Sequence, residues 1–294
     1  MKHLRNLVLF ALLASAQFAY SADACDPCDP CYTGTECDLC NVDFCDMEFE
    51  VYVDALYWHG CSNDLFINST SDHISPDYDW GWRIGASAYW NSWDIGFRYT
   101  SFSSKTKNEV DFGSEVIVDA QYKFDYDVFD IEVGRACCIC EGILFRPFIG
   151  GKFADIKIHH ENIFSANETN KQKLDGCGLY IGFDNRWQMC SFNACDCNIP
   201  VALVSRLSTG VLDGDFKFSD SSSEFSVVYK DCQFVPVHEL YAGLEFRMCG
   251  LCNADAFFQI GYETQYWGWK DEDGFSDIAH LGVGGLVLRF GANF

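Results

Sequence analysis

The sequence predicts an all-β fold: a transmembrane, antiparallel, up-and-down β-barrel of about ten strands (eight to twelve are compatible) with a cysteine-rich N-terminal arm. Three observations predict it. After the N-terminus, no stretch of 18 residues is apolar and free of charge, so spanning helices are excluded while spanning strands are not. Segment after segment alternates with period two, one face large and aromatic, the other small or charged. The connections between segments alternate between short and long, as they do when short turns lie on one side of a membrane and loops on the other. A water-soluble β-sandwich also alternates, but its outward face should be polar.

Composition narrows the function classes. The 294 residues are 49% hydrophobic, which excludes disorder for most of the chain, and a formal charge of −23 argues against nucleic acid as a partner. Lys2 and Arg5, the apolar run 7–16 and the small residues Ala19, Ser21, Ala22 and Ala24 predict a signal peptide over 1–22, cleaved within 21–24. Its removal leaves 18 basic and 43 acidic residues, a charge of −25. Export makes disulfides the leading use of the 17 cysteines.

Residues 23–47 form the predicted arm. It carries Cys25, Cys28, Cys31, Cys37, Cys40 and Cys45 among six aspartates and almost no apolar residues, so it can build no core. The C-x-x-C spacings resemble zinc-ligand pairs, but an oxidising compartment favours disulfides; a metal site is the alternative.

The barrel is predicted over 48–294. Its first strand sets Phe49, Val51, Val53, Ala55 and Tyr57 against Glu48, Glu50, Tyr52 and Asp54. Trp80 to Trp90 and Trp93 to Tyr99 alternate in the same way around Asn91-Ser92, a hairpin. In the next segment the apolar phase runs through Tyr122, Phe124, Tyr126 and Val128, then shifts to Phe129, Ile131 and Val133, which predicts a bulge. Further strands are predicted near 143–158, 173–189, 199–212, 232–248, 254–267 and 286–294. The short connections are then 91–92, 135–142, 190–198 and 249–253; the long ones are 61–79, 103–115, 160–172, 213–231 and 268–277. Tyr57, Trp58, Trp80, Trp82, Trp90, Trp93, Tyr266, Trp267 and Trp269 are expected in interfacial girdles.

On this topology Cys137, Cys138, Cys140, Cys190, Cys195, Cys197, Cys249 and Cys252 all fall in the short, periplasmic connections. With the arm, 14 of 17 cysteines lie on one side of the membrane. Residues expected to face the lumen are Glu50, Asp54, Arg83, Arg98, Glu239, Glu245, Arg247, Glu263 and Arg289. No nucleophile motif, convergent acid pair or phosphate loop stands out, so neither enzyme nor cofactor is expected, and His238 is expected to be an ordinary strand residue.

Several stretches resemble a known family: VDALYWHG at 53–60, DWGWRIGASAYWNSWDIGFRYTSF at 79–102, LFRPFIGGK at 144–152, GYETQYW at 261–267 and the terminal Phe294. They are similar to the Legionella-type pore-forming outer-membrane proteins and the cysteine-rich, major-outer-membrane-protein-like porins of chlamydia-related bacteria. The resemblance implies a bacterial outer-membrane barrel, pore formation and, in the chlamydial branch, disulfide cross-linking of the envelope. This chain is shorter than members of that family tend to be, which bears on strand number and pore width. Phe294 with its alternating neighbours also resembles the signal by which barrel-assembly machinery recognises its substrates.

Two functions follow as expectations. One is a porin passing small hydrophilic solutes or ions by diffusion, with a weak cation preference from the acidic mouth, cross-linked into the envelope. The other is a structural envelope protein with an occluded barrel and no transport. Ten strands lie between barrels filled by side chains and open porins, so size does not decide. The expected partners are outer-membrane lipid, the assembly machinery and other cysteine-rich envelope proteins joined by disulfides; a homo-oligomer is left open.

Overall fold

The computed structural model describes residues 47–62, 77–111, 117–140, 142–162, 168–194, 197–221, 226–251, 254–269 and 279–294. The segments expected to be a signal peptide and a cysteine-rich arm, up to Asp46, and the tips of the connections lie outside these residues.

The strands are β1 (Glu48–Ser62), β2 (Asp79–Trp90), β3 (Trp93–Asp111), β4 (Ile117–Arg135), β5 (Cys137–Cys140), β6 (Ile143–Asn162), β7 (Glu168–Ala194), β8 (Cys197–Ser221), β9 (Ser226–Leu251), β10 (Ala254–Trp269) and β11 (Ala279–Asn293). Neighbours in sequence pair antiparallel except β4 and β5, both of which pair with β6, and β1 pairs with β11 from Glu50↔Asn293 to Ser62↔Leu281, which closes the sheet. β5 continues the β4 register against β6 (Gly134↔Phe148, then Cys137↔Phe145) after a break at Ala136. The result is a closed ten-stranded barrel with no unpaired edge, as lipid requires of a spanning sheet. The β1–β11 seam is tied at its end by Phe49 and Phe294, whose backbones exchange N–H···O bonds of 3.1 and 2.8 Å.

Asn91 takes the left-handed conformation (φ 54°) that a two-residue turn needs and Asn tolerates; Gly142 (φ 78°) does the same before β6. Met47, where the described residues begin, the C-terminal Phe294 and these turns share one end of the barrel, which the rule of short periplasmic turns identifies as periplasmic. Register shifts at Cys138/Cys140, Gln188/Cys190 and Ala254/Ala256 all lie at that end.

The predicted bulge at 128/129 is absent: β3 and β4 stay in register from Trp93↔Arg135 to Asp111↔Ile117. The backbone phase is constant, and the chemistry changes sides. Toward the periplasm, Phe129 and Val133 face out to lipid, while beyond them Tyr122, Phe124, Tyr126 and Val128 face in and Lys123, Asp125 and Asp127 face out. β3 inverts between Tyr99 and Phe102, and β6 between Phe153 and Ile156. Strands therefore leave the membrane and continue as a water-surrounded barrel with an apolar inside. Much of what periodicity assigns to loops at 103–115, 160–172 and 213–231 is this continuation.

The same inversion corrects the girdle. Tyr57, Trp80, Trp82 and Trp93 do face outward, with Tyr57 packed 5.0 Å from Trp80 and Trp82 5.4 Å from Tyr99 between ring centroids. Trp58 and Trp267 have the inward parity of their strands and are fully buried.

Candidate functional site

The candidate site is the barrel interior, built where every second residue of each strand points to the axis. All nine sequence-predicted lumen residues point inward: Asp54, Arg83, Arg98, Glu239, Glu245 and Glu263 are buried, and Glu50, Arg247 and Arg289 are half-buried. They do not line an open channel. They are joined by Asp94, Asp130, Glu132, Arg146, Lys152, Asp184, Arg186 and Arg206, which the sequence reading did not single out although all have inward parity.

Arg83 is the centre of one cluster. It donates to both oxygens of Glu263 (2.7 and 2.8 Å), to Thr100 Oγ1 (2.9 Å) and to Asp54 (3.3 Å). Arg289 grips Asp54 from the other side with bonds of 2.7 and 2.9 Å and stacks 3.9 Å over the Tyr52 ring. That ring occupies the space over Gly85, where a Cβ would come within 2.2 Å of Tyr52 Cζ. Gly85 is thus required by the close approach.

Arg98 centres a second cluster. It forks onto Glu239 (2.8 and 2.9 Å) and reaches Asp130 (2.9 Å), which also pairs with Lys152 at 2.6 Å. Nearer the periplasm, Arg146 holds Asp94, Asp184 and Glu132, while Arg206 holds Glu132 (2.5 Å) and Asp184 (3.2 Å). Arg186 and Gln259 bind Glu245 at 2.8 and 2.7 Å, with Arg247 at 3.3 Å. Seven of the eight arginines among the described residues point inward, and Arg135 alone lies outside, over Trp93. The planar guanidinium suits this task because it satisfies two carboxylate oxygens at once.

Together these inward-facing groups bring eight cations against nine carboxylates, nearly balanced in a chain of −23. On their periplasmic side lies a cavity of about 200 Å³ between Glu48, Tyr89, Arg146, Arg186 and Arg247. On their extracellular side lies an apolar layer. Trp58, Phe102, Phe124, Tyr126 and Trp267 pack ring to ring at 5.8–6.2 Å, with Leu56, Ile156, Leu212 and Val287 around them. Tyr126 and Trp267 both donate to Gln265 Oε1 (2.6 and 3.3 Å), and Gln265 donates to Glu263, so the apolar and ionic layers interlock.

Of the cysteines predicted for disulfides, Cys137 is half-buried and Cys138 and Cys190 are exposed at the periplasmic end. Cys140 ends β5, Cys197 begins β8 and Cys249 lies two residues before the end of β9. Cys25, Cys28, Cys31, Cys37, Cys40, Cys45, Cys195 and Cys252 fall outside the described residues. His238 faces outward on β9, bonded to Thr209 Oγ1 at 2.9 Å.

The chain is similar to solved outer-membrane proteins. The outer membrane protease OmpT from Escherichia coli superposes with a TM-score of 0.52 at 8% identity, over 84% of this chain and 96% of that one. A major outer membrane protein from Thermus thermophilus aligns with a TM-score of 0.41 at 10% identity, over 85% and 100%. The toluene transporter TodX of Pseudomonas putida aligns at 0.33 and 10%, over 84% and 90%. At 8% identity the likeness to OmpT is one of fold. No curated protein matches the chain. The family model of the Legionella pneumophila major outer membrane protein precursor matches residues 44–272, most of the barrel, and the chain belongs to that family of bacterial outer-membrane barrel proteins.

Proposed function

We propose that this outer-membrane barrel serves the envelope as a structural protein whose lumen is closed to free diffusion. The observation that supports this most is the apolar layer. Trp58, Phe124 and Trp267 are fully buried inside the barrel, and an ion crossing such a mostly aromatic layer would give up its water for few polar groups. The ionic layer beneath adds a second barrier, since its carboxylates are committed to guanidinium partners. For the same reason a non-enzymatic role belongs to the proposal: these acids already have their charges spent. Proteoliposomes holding the folded protein should not swell faster than protein-free vesicles in isotonic sugars. Sugar-dependent swelling would reject the closed lumen.

The porin reading has its own support in the cavity of about 200 Å³ at the periplasmic mouth, large enough to hold several waters. Transport would require the apolar layer to rearrange, leaving Arg98, Arg247 and Arg289 with their acids as the walls.

Anchorage is proposed to run through the periplasmic cysteines. Adjacent Cys137 and Cys138 cannot easily both pair within one short turn, and 17 is an odd number, so at least one thiol is left for another chain. A disulfide adds little to an already closed barrel, so cross-linking to cysteine-rich neighbours explains the cluster better than folding does. Non-reducing electrophoresis of envelopes should show high-mass species that collapse on reduction and shrink with Cys→Ser changes at 137, 138 and 140. A monomer without reductant, with stoichiometric zinc on the arm, would favour the metal alternative. Phe294, the residue after the closing strand β11, is proposed as the residue the assembly machinery reads.

A further inference from the structure

The cavity of about 200 Å³ at the periplasmic end of the interior has two sides that differ in what they leave unbonded. On one side, Glu50 of β1 and Asn293 of β11 stand opposite each other in the ladder and line the cavity together. Glu50 is half-buried and makes no side-chain hydrogen bond or ion pair among the described residues, which sets it apart from the paired acids deeper in the lumen. Asn293 Oδ1 is buried and likewise has no partner there. This wall offers acceptors without donors.

The far wall has the reverse surplus. Arg186 on β7 is five strands from β1 in either direction round the barrel, and Arg247 on β9 is three strands away through β10 and β11. Both converge on Glu245 Oε1, at 2.8 Å from Arg186 Nε and 3.3 Å from Arg247 Nη2, while Gln259 donates to Oε2 at 2.7 Å. Two cations thus share one carboxylate. Arg247 Nε is buried without a partner among the described residues, and the Phe257 ring, 5.8 Å away, backs its guanidinium. Each guanidinium has five N–H donors, so most of the ten are uncommitted to the described residues.

A half-buried charge without a partner is costly, and these walls do not relieve each other: Glu50 forms no ion pair with Arg186 or Arg247, although all three line the cavity. The segment 23–46 that leads into β1 carries seven acids and no basic side chain, so its side chains cannot neutralise Glu50. An inorganic anion would satisfy the arginines and be repelled by Glu50; a metal cation would do the reverse. We propose that the cavity binds a small zwitterion of the dipeptide class, with its carboxylate on Arg186 and Arg247, its ammonium on Glu50, and Asn293 Oδ1 accepting from an N–H between them. A dipeptide carries its charges at opposite ends, as the two walls do, whereas those of a single α-amino acid are adjacent. The cavity has the volume of roughly seven waters, which suits such a molecule and little more. It opens past the exposed Glu48 toward the periplasm, so the proposal is independent of whether the lumen conducts.

The test titrates glycylglycine into the folded, full-length mature protein in detergent, with calorimetry as readout. Two capped forms serve as probes of each end: N-acetylglycylglycine keeps only the carboxylate, and glycylglycine amide only the ammonium. Losing either charge should weaken binding about tenfold, the worth of one charge-assisted hydrogen bond. E50Q should weaken glycylglycine about tenfold and bind the acetylated form at least as tightly as the parent does, while R247Q should weaken glycylglycine equally and leave the amide unaffected. Each variant thus erases one discrimination and keeps the other, which general loosening of the barrel would not do. Should R247Q fail to give the heat-modifiable folded form, R186Q carries the same prediction. Absence of saturable binding at millimolar glycylglycine, or undiminished binding by E50Q and R247Q, would overturn the proposal. Equal binding of the acetylated form would reduce the site to one for simple anions and overturn the zwitterion.

Discussion

Arg83 and Glu263, 180 residues apart in sequence, face each other through paired hydrogen bonds of 2.7 and 2.8 Å in the middle of the barrel, both nearly inaccessible to water. Removing one partner leaves a buried charge, whereas removing both leaves none. Glu263→Ala should therefore destabilise the folded barrel by roughly 3–5 kcal/mol, and R83M/E263L much less. Urea titration of heat-modifiable mobility measures the difference; equal losses in the two variants would mean that the pair is hydrated.

Above this pair the closure is apolar. W58A/W267A should open a path through the rings, giving ion flux in proteoliposomes where the parent gives none. Each substitution should also cost roughly 3–5 kcal/mol, since large-to-small changes leave a cavity. A folded double variant that stays impermeable would place the barrier in the ionic layer.

The turn at Asn91 offers a test of local geometry. With φ at 54°, Asn91→Val should lose roughly 1–3 kcal/mol of stability, while Asn91→Gly should be close to neutral. Equal folded fractions for the two variants in urea would contradict the left-handed turn.

At Gly85 an added Cβ meets the Tyr52 ring at 2.2 Å. Gly85→Ala must swing that ring off Arg289 and should lower the urea midpoint, while Ser87→Ala, two residues along on the same inward face, should move it little. A Gly85→Ala barrel as stable as the parent would show that the ring moves freely.

Strand count and closure were legible in the sequence because burial in lipid writes a period of two directly into the chain, as at Trp80–Trp90. The inversion near Val128 was not, because a change in which face is apolar looks the same in one dimension whether the backbone slips or the solvent changes. Trp58 and Trp267 were misplaced for that reason: aromatics near a strand end suit a girdle as well as a plug. Inward parity found Arg83, Arg98 and Arg289, and the same rule applied to every charged residue would have found Arg146, Lys152 and Arg206. Their partners could not be found this way. Arg289 and Asp54 are 235 residues apart, and Arg98 and Glu239 are 141 apart, joined across the lumen by closure of the barrel.

Single-channel recording in planar bilayers tests the closed interior most directly. With Trp58, Phe124 and Trp267 packed inside the barrel, the folded protein should insert without stable, voltage-independent conductance steps, and W58A/W267A should produce them. Long-lived steps from the unmodified protein, linear in salt concentration, would contradict a closed lumen.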